Sequence, residues 1–305
     1  MENSQPPLAP GLYLVATPIG NLEDITLRAL RVLRSVDRIA CEDTRQTQKL
    51  LNHYGIQTRT VSYHLHNEAP RAEELLADLR QGGRIALVSD AGTPCIADPG
   101  AALVQAAVAA GVAVYPIPGA NAALSALTAS GLNAETFVFY GFLPSKQGSR
   151  RTLLERLALE GATKEGGHGE TGTHPPTLVF YETPHRIVEA LADVELAFGA
   201  QRRIVVAREL TKLHEEFVRG AASEVRQDFA QRPVIRGEMV LLIEGADAAG
   251  ASAAAAPAQT IGQQVAALMR ESGMSEMDAL KRVAKERGMG KSEAYREFQR
   301  ERNKV

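Results

Sequence analysis

Short apolar segments alternate with helical patterns throughout the first 140 residues of this 305-residue chain. The apolar segments include LYLVATPIG, RIACED and RIALVSD, and the amphipathic segment RAEELLADLR is typical of the stretches between them. Strands that alternate with helices predict a mostly parallel sheet covered by helices on both faces. Ligands of such sheets bind at the carboxyl ends of the strands, so the residues that follow each apolar segment are the first candidates for a site.

One of these junctions is LVSDAGTPCIADPG, residues 87–100. Its apolar part ends at Ser89 and Asp90, and small residues and two prolines follow. The Asp90 carboxylate can accept hydrogen bonds from hydroxyl or amino groups of a nucleoside-like ligand, and Gly92 lets the backbone approach that ligand closely. Taken alone, the segment fits equally well a turn that Asp90 caps and that the prolines stiffen.

A second junction, PIPGANAALSAL, combines a strand end, a Pro-Gly corner and a helix start that places Asn121 in the first turn. Small residues at a helix N-terminus leave room for a ligand and expose free N–H groups. They also allow the helix to pack close to the sheet, and the pattern alone favours this second interpretation.

Polar residues are dense after the second and third strands, in EDTRQT and SYHLHNE. Burial of so many polar groups without partners would be costly, so a plain surface location is one explanation. A functional role is the other, because they share an edge with the Asp90 loop. His64 and His66 share one strand face, but no third ligand accompanies them, so we expect no metal site. The polar residues are Glu42, Asp43, Arg45, His64, His66, Asn67 and Glu68.

A second set of apolar segments, TLVFYE, HRIVEALADV, RRIVVAREL and GEMVLLIEG, predicts a smaller second α/β domain. We expect an N-terminal α/β domain over residues 11–142 and a C-terminal α/β domain over 143–245. The glycine-rich segment GATKEGGHGETGTHPP predicts a flexible surface loop. The Ala-rich residues 246–259 predict a linker, and residues 260–305 predict a helical tail.

The tail contains three helix-length segments, IGQQVAALMRES, SEMDALKRVAKERG and KSEAYREFQRER. Ser275 and Ser292 lie where N-caps are expected. Residues 281–304 are rich in lysine and arginine, which suits a phosphate backbone and equally suits a solvated helix face.

Composition and missing motifs exclude several classes of protein. Hydrophobic residues make up 45% of the chain, charged residues 23%, and the formal net charge is -2, so the whole chain gives no reason to expect a polyanionic partner. Cys41 and Cys95 are the only cysteines, too few for a disulfide framework. We find no signal peptide and no apolar run of membrane-spanning length, so we expect a cytoplasmic protein without a membrane partner. The lysine of a P-loop and the glycine spacing of a dinucleotide site are both missing, which disfavours kinases and dehydrogenases.

In combination, the motifs resemble the tetrapyrrole methylase superfamily, over about residues 11–245. Within it they are similar to the branch of the ribosomal RNA small subunit methyltransferases I. The motifs are, in chain order, LYLVATPIGNLEDITLRAL, EDTR, SYHLHNE, LVSDAGTPCIADPG, PIPGANAALSALTASGL, FYGFLP, FYETPHRI, ARELTKLHEE and GEMVLLIEG.

The resemblance implies two α/β domains of the tetrapyrrole methylase type with a cofactor cleft between them, besides the small helical C-terminal appendage. It implies S-adenosyl-L-methionine as cofactor and a homodimer as assembly. It implies small-subunit ribosomal RNA, free or in the assembled subunit, as partner and substrate. The branch methylates the ribose 2′-oxygen of a cytidine in the decoding region of 16S ribosomal RNA.

The resemblance also implies a cofactor pocket. The family's G-D-P-x-x-[FY] loop falls on Ser89 to Pro94, where Ser89 replaces the glycine and Asp90 is kept, a variant that the ribosomal RNA branch shares. Asp90 and Thr93 are then expected to contact the nucleoside part of the cofactor. The implied pocket residues are Pro18, Ile19, Gly20, Ser89, Asp90, Ala91, Gly92, Thr93, Pro94, Gly119, Asn121, Ala122, Tyr181, Ala207 and Met239.

Methyl transfer from a sulfonium mainly requires alignment of the nucleophile and exclusion of water. A ribose hydroxyl also needs an acceptor for its proton. We hypothesise that Glu182 or His64 is this acceptor. The hypothesis places Glu42, Asp43, Arg45, His64, Asn67, Glu182 and Arg186 on the acceptor side of the cleft.

Two alternatives remain. One is a porphyrinoid C-methyltransferase of the same fold, which the SDAGTP variant and a tail suited to RNA disfavour. The other is a nucleotide-binding or RNA-binding module without catalysis, which the density of polar groups at one sheet edge disfavours.

Overall fold

A computed structural model describes residues 7–64, 67–163, 175–245, 261–272, 274–286, 290, 294–296 and 298–299 of the chain. The chain forms two compact units, Met1–Ala248 and Ala249–Val305. Outside the described residues lie residues 164–174 of the predicted glycine-rich loop, the predicted linker 246–259, His66 and Ser292.

The larger unit contains two sheets, and the first is entirely parallel. Its strands are β1 (Gly11–Val15), β2 (Arg38–Cys41), β3 (Thr60–Ser62), β4 (Arg84–Val88) and β5 (Val114–Ile117). The helices that connect them are α1 (Leu27–Ser35), which follows a short 3₁₀ turn (Leu22–Asp24), α2 (Thr44–His53), α3 (Glu68–Arg80) and α4 (Ala101–Ala109). The strand order is β3-β2-β4-β1-β5.

Helices cover both faces of this sheet, as the alternating pattern predicts. Leu33 of α1 and Leu51 of α2 belong to one buried cluster, and Leu75 of α3 and Leu103 of α4 belong to another. Burying each of these leucines contributes about 1.5–3 kcal/mol. The carboxyl ends of the strands therefore share one edge of a rigid sheet.

Polar side chains cap several of these helices at the residues that start them. The Thr26 hydroxyl accepts from the Ala29 N–H at 3.0 Å at the start of α1, and Asp43 accepts from the Arg45 N–H at 2.8 Å at the start of α2. Each cap satisfies a backbone donor that has no partner within the helix, which contributes about 1 kcal/mol. The polar character of EDTRQT thus has a local structural cause.

The second sheet is mixed. Its strands are β6 (Phe137–Phe142), β7 (Thr177–Glu182), β8 (Arg203–Arg208), β9 (Glu216–Ala221) and β10 (Met239–Ile243), in the order β6-β7-β10-β8-β9. The first pair is parallel, and β10 runs antiparallel to both β7 and β8. Its helices are α5 (Ala122–Ser130), α6 (Gln147–Thr163), α7 (Ile187–Phe198) and α8 (Ala222–Gln231).

Helix α5 follows the last strand of the first sheet but packs on the second. Leu127 of α5 shares a buried cluster with Val179, Val205 and Leu242, while α6, α7 and α8 cover the opposite face around Phe180. The small residues of PIPGANAALSAL thus allow α5 to pack closely on a sheet, as one of the two interpretations expects. That sheet is the second sheet and not the one that contains the preceding strand. Both sheets are joined through this helix in one unit.

Two features of the second half differ from the sequence interpretation. Strand β6 belongs to the second sheet, so that sheet starts at Phe137, ahead of the domain boundary expected at residue 143. The stretch between RRIVVAREL and GEMVLLIEG, for which no strand was predicted, contains the edge strand β9 before α8. The residues of β9 are at least partly exposed, which explains why this strand has no continuous apolar pattern.

The smaller unit contains α9 (Ile261–Ser272) and α10 (Glu276–Glu286), at the first two predicted tail helices. Val265 and Leu280 share its buried cluster, and the Ser275 hydroxyl accepts from the Asp278 N–H at 3.3 Å at the start of α10. Lys281 pairs with Asp278 at 2.9 Å. No helix in the described part of the chain is long and apolar enough to cross a bilayer.

Candidate active site

A cavity of about 280 Å³ lies between the carboxyl ends of the first sheet's strands and the second sheet. The first sheet contributes the loops that follow β1, β2 and β4, and the second contributes residues at the ends of β7 and β8 and the start of β10. The lining residues are Ile19, Glu42, Asp90, Ala91, Gly92, Thr93, Ile96, Ala97, Asp98, Ala122, Phe142, Tyr181, Glu182, Ala207, Glu209, Leu210, Lys212, Glu238, Met239 and Val240.

The loop after β4 is joined to the loop after β1. Thr17 and Gly92 exchange both backbone hydrogen bonds, at 2.9 and 3.0 Å. Gly92 has a φ of +83°, and a Cβ at this position would lie 3.2 Å from Ile19 Cγ2. Glycine is required here because the backbone is left-handed and Ile19 lies close to it.

Serine and asparagine side chains stabilise this loop from within. The Ser89 hydroxyl is buried within reach of the Ala91 and Gly92 carbonyl oxygens, at 3.2 and 3.3 Å. Asn121 accepts from the Leu124 N–H at 3.0 Å, which caps α5, and donates to the Thr93 hydroxyl at 3.3 Å. Asn121 thus links the start of α5 to the Asp90 loop.

The same loop stores backbone strain. Cys95 and Ala97 have φ values of 68° and 62°, in the left-handed region that costs a residue with a Cβ about 1–2 kcal/mol. Strain of this kind persists where the surrounding structure fixes it, and it is common at functional sites. The sequence pattern carries no sign of it, because neither residue is a glycine or an asparagine.

A second strained loop closes the cavity from the other sheet. Glu209 and Thr211, directly after β8, have φ values of 52° and 66°. The Asn21 N–H donates to the Thr211 hydroxyl at 3.0 Å, and the Lys212 side chain fills the space beside Gly20. A larger residue in place of Gly20 would therefore displace Lys212. The sequence interpretation missed this contact between the two loops.

Of the cofactor residues that the resemblance implies, nine line the cavity: Ile19, Asp90, Ala91, Gly92, Thr93, Ala122, Tyr181, Ala207 and Met239. The remaining six belong to the same loops but lie outside the lining set: Pro18, Gly20, Ser89, Pro94, Gly119 and Asn121. Gly119 packs against Ala16, since a Cβ there would lie 2.9 Å from the Ala16 Cβ. These residues shape the loops.

Only some of the residues proposed for the acceptor side of the cleft line the cavity. Glu42 and Glu182 line the cavity, while His64, Asn67 and Arg45 lie outside the lining set. Asn67 accepts from the His64 N–H at 2.8 Å. The Asp43 carboxylate pairs with the largely exposed Arg45 guanidinium at 2.9 Å. Hydrogen bonds from the side chain and the backbone N–H of Arg45 lower the pKa of Asp43 to about 2.

Carboxylates dominate the cavity wall. Six carboxylates line it, and Lys212 is the only cation among the lining residues that the structure describes. Two of the carboxylates have a cationic partner, because Glu182 accepts from Arg186 Nη2 at 2.8 Å and Glu209 accepts from Lys212 Nζ at 2.8 Å. The six carboxylates are those of Glu42, Asp90, Asp98, Glu182, Glu209 and Glu238.

Asp98 is one of several lining residues to which the sequence interpretation gave no role. Burial raises the pKa of Asp98 to about 6, and the carboxylate of Glu42 adds to the rise. Burial likewise raises the pKa of Glu42. No group of three or more metal-ligating side chains occurs among the residues that the structure describes. An acidic wall of this kind suits a cationic organic ligand.

A family model for tetrapyrrole (corrin/porphyrin) methylases matches residues 11–226. The chain belongs to this family. The resemblance drawn from the sequence motifs is thereby confirmed, as is the α/β fold with two sheets.

Three relatives share the name ribosomal RNA small subunit methyltransferase I. The protein of Halalkalibacterium halodurans is 45% identical over 295 residues, which cover 95% of both chains. The protein of Pasteurella multocida is 49% identical, with 77% of this chain and 79% of the relative covered. The protein of Escherichia coli O157:H7 is 48% identical, with 77% of both chains covered.

Two solved structures share the fold. The methyltransferase CobJ superimposes with a TM-score of 0.56 at 18% identity, over 77% of this chain and 94% of that chain. Diphthine synthase superimposes with a TM-score of 0.54 at 14% identity, over 76% of this chain and 89% of that chain.

Proposed function

We propose that this tetrapyrrole methylase family member transfers the methyl group of S-adenosyl-L-methionine to the 2′-oxygen of a cytidine in the decoding region of 16S ribosomal RNA. The observation that carries the proposal is the 45% identity over 95% of the chain to a relative named for methylation of small-subunit ribosomal RNA. The choice of a cytidine ribose 2′-oxygen as methyl acceptor is inferred from the family branch that the sequence motifs resemble.

The cavity fits the cofactor in charge. The sulfonium and ammonium groups of S-adenosylmethionine are cationic, and the wall carries six carboxylates against one lysine. The cavity volume of about 280 Å³ lies just below the range of about 300–1,000 Å³ that is typical of small-molecule sites. The cofactor supplies a methyl group on a positively charged sulfur, which is a good leaving group.

The chain's own residues would bind and orient the reactants. The 90–93 loop and Ala122 would hold the nucleoside part from the first sheet, and Tyr181, Ala207 and Met239 would cover it from the second. Two strained loops, held by the Thr17–Gly92 and Asn21–Thr211 contacts, fix the walls before the ligand arrives. Preformed walls favour catalysis because they align the reacting atoms and exclude water.

The assembly and the compartment are part of the same proposal. We expect a homodimer in the cytoplasm, where ribosomal subunits are found. Light scattering on a size-exclusion column tests the assembly, and a monomer at micromolar concentration would contradict it.

The function is tested by incubating the protein with methyl-labelled S-adenosylmethionine and small subunits from a strain that lacks the enzyme. We expect one labelled 2′-O-methylcytidine, located by nuclease mapping of the RNA. Subunits from a strain that has the enzyme are the matched control and should accept little label. Label in a base, or label accepted only by a tetrapyrrole, would overturn the proposal.

A further inference from the structure

We propose that Asp98 is the group that accepts the proton of the ribose hydroxyl during methyl transfer. The inference rests on the proposed function and adds a catalytic residue to it. In the transfer, a bond forms between the ribose oxygen and the methyl carbon, and the carbon–sulfur bond breaks with its electron pair left on sulfur. The hydroxyl proton passes to the Asp98 carboxylate and from there to solvent.

The other carboxylates of the wall are less suited to this role. Glu182 is occupied by the Arg186 guanidinium at 2.8 Å and by the Thr183 N–H at 2.7 Å. Glu209 is occupied by Lys212 at 2.8 Å, and Asp90 accepts from the Asp43 N–H at 3.0 Å. Three of the other carboxylates of the wall are thus already engaged as hydrogen-bond acceptors within the fold.

The surroundings of Asp98 are mainly of like charge: burial and neighbouring carboxylates raise its pKa, while a hydrogen bond with the Ser89 side chain lowers it. Within the described residues, no ion pair includes Asp98. The Glu42, Asp90 and Glu238 carboxylates face it from the ends of β2 and β4 and from the start of β10, and the Tyr181 hydroxyl and the Cys95 thiol are also near. The like charges raise the pKa of Asp98 above that of an exposed carboxylate, in addition to the effect of burial.

The backbone around Asp98 is fixed. Ala97, immediately before it, has a φ of 62°, and Gly100, two residues after it, has a φ of 131°. A Cβ on Gly100 would lie 2.7 Å from both the Cys95 sulfur and Leu87 Cδ2, so the loop folds tightly against the end of β4. A proton acceptor benefits from such a rigid support, because a small displacement lowers the rate greatly.

The pKa of Asp98 supports its assignment as the proton acceptor. A base is most effective when its pKa lies near the operating pH, and burial with the Glu42 charge raises that of Asp98 to about 6. The pKa of Glu42 is also raised, by burial first and then by the Asp90 charge. The Glu42 carboxylate in turn raises the pKa of Asp98.

The experiment compares the wild type, Asp98→Asn and a matched surface control, Asp228→Asn. Asp228 lies on α8, and its carboxylate pairs with Arg232. Single-turnover methyl transfer to small subunits is measured from pH 5 to pH 9 at saturating cofactor, and calorimetry gives the Kd of S-adenosylmethionine. We expect Asp98→Asn to lower the rate about 10²- to 10⁴-fold. Because Asp98 also belongs to the acidic wall, we expect weaker cofactor binding as well, and saturating cofactor removes that effect from the measured rate. The wild-type rise of the rate through about pH 6 should disappear in this variant.

Two further measurements test the titration of Asp98, and the first does not depend on turnover of the substrate. In infrared difference spectra of the ligand-free protein, the wild type should show a carboxylic acid band that disappears as the pH rises through about 6, and Asp98→Asn should lack it. Glu42→Gln should move both this band and the inflection of the rate to lower pH, because removal of a negative charge favours ionised Asp98. The infrared band reports the titration of Asp98 whatever its role, whereas a merely structural role of Asp98 would leave the inflection of the rate unmoved.

The outcomes separate the two proposals. A wild type that methylates small subunits together with an Asp98→Asn variant that keeps its rate and its inflection would overturn the role of Asp98 alone. A rate that Asp98→Asn loses only through weaker cofactor binding would overturn it as well. A wild type that transfers no methyl group to small subunits would overturn the proposed function, whatever the infrared titration shows.

Discussion

Arg186 Nη2 lies 2.8 Å from Glu182 Oε2, so the carboxylate that ends β7 is held by the arginine that starts α7. The Glu182 side chain is 0% exposed and the Arg186 side chain 25%. The Thr183 N–H and the Leu143 carbonyl complete the hydrogen bonds of the pair. This arrangement favours a positioning role for Glu182 at the turn between β7 and α7, in place of the proton acceptance that the sequence suggested.

We therefore expect Arg186→Met to destabilise the fold more than Glu182→Gln. The first variant leaves a buried carboxylate without its charge partner and costs about 2–4 kcal/mol, while the second leaves a neutral amide in its place and costs about 1–2 kcal/mol. Urea unfolding of both variants and of the double variant measures this. The double variant should lose less than the sum of the two, and strictly additive losses would contradict the ion pair.

Gly92 provides a test of the loop geometry. Gly92→Ala should cost about 1–2 kcal/mol because its φ is +83° and a Cβ would lie 3.2 Å from Ile19 Cγ2. It should also weaken the binding of S-adenosylmethionine, measured by calorimetry, since Gly92 and Ile19 both line the cavity. Gly148→Ala is the matched control, because Gly148 lies in α6 with no atom near its Cβ position and should gain about 0.5–1 kcal/mol.

A buried ion pair between α6 and α7 gives a third test, at a distance from any proposed chemistry. Arg150 Nε lies 2.7 Å from Asp193 Oδ2, and the two side chains are 0% and 1% exposed. Asp193→Asn should cost about 3–5 kcal/mol, because the Arg150 charge loses its main partner in an apolar setting. Arg156→Met, which removes the exposed pair with Glu160 on the same helix, should cost less than about 1 kcal/mol. Denaturant unfolding compares the two, and similar losses would count against the burial argument.

The sequence predicted most of the fold because period-2 and period-3.6 patterns report burial directly. β1, β2 and β4 are apolar and buried, so LYLV, RIAC and RIALV were recognisable. β9 was missed because an edge strand with every residue at least partly exposed has no such pattern. The position of α5 on the second sheet was missed because no local pattern states which sheet a helix will cover.

The candidate site was predicted in part, for a similar reason. Ile19 and the 90–93 loop were found because they match the family's cofactor loops. Asp98, Glu209 and Lys212 lie in quoted motifs that gave them no role, and only tertiary contacts bring them to the cavity. Glu209 and Thr211 also adopt left-handed backbone conformations that their residue types do not suggest. Asp98 lies between Ala97 and Pro99, and nothing in those neighbours indicates the carboxylates that surround it in the fold.

Glu216 should make stability depend on acid. Hydrogen bonds from Arg232, and after it from Arg208, lower the pKa of Glu216 to about 2 in the folded chain. A carboxylate whose folded pKa is depressed stabilises the fold above its unfolded pKa, and this contribution is lost as the pH falls through the folded value. The gap in urea midpoint between the wild type and Glu216→Gln should thus be full at pH 7 and shrink from about pH 4.5 to about pH 2. Glu73→Gln, at an exposed position on α3, is the control and should show no such gap.

Asp98 should show the opposite dependence. Burial first, and the Glu42 charge second, raise its folded pKa from 3.8 to about 6, so the folded chain binds a proton more tightly than the unfolded chain between these values. Stability therefore falls as the pH rises from about 4 to about 6, and the full penalty remains above that range. Asp98→Asn removes the penalty and should stabilise the fold at pH 7–8 by about 1–2 kcal/mol, since partial exposure reduces the cost that the pKa alone implies. Thermal unfolding at pH 4 and at pH 8 measures the difference, which should be near zero at the lower pH. An Asn variant that is less stable than the wild type at pH 8 would show that Asp98 supports the loop. A variant that is more stable but inactive is what a strained, charged catalytic group predicts.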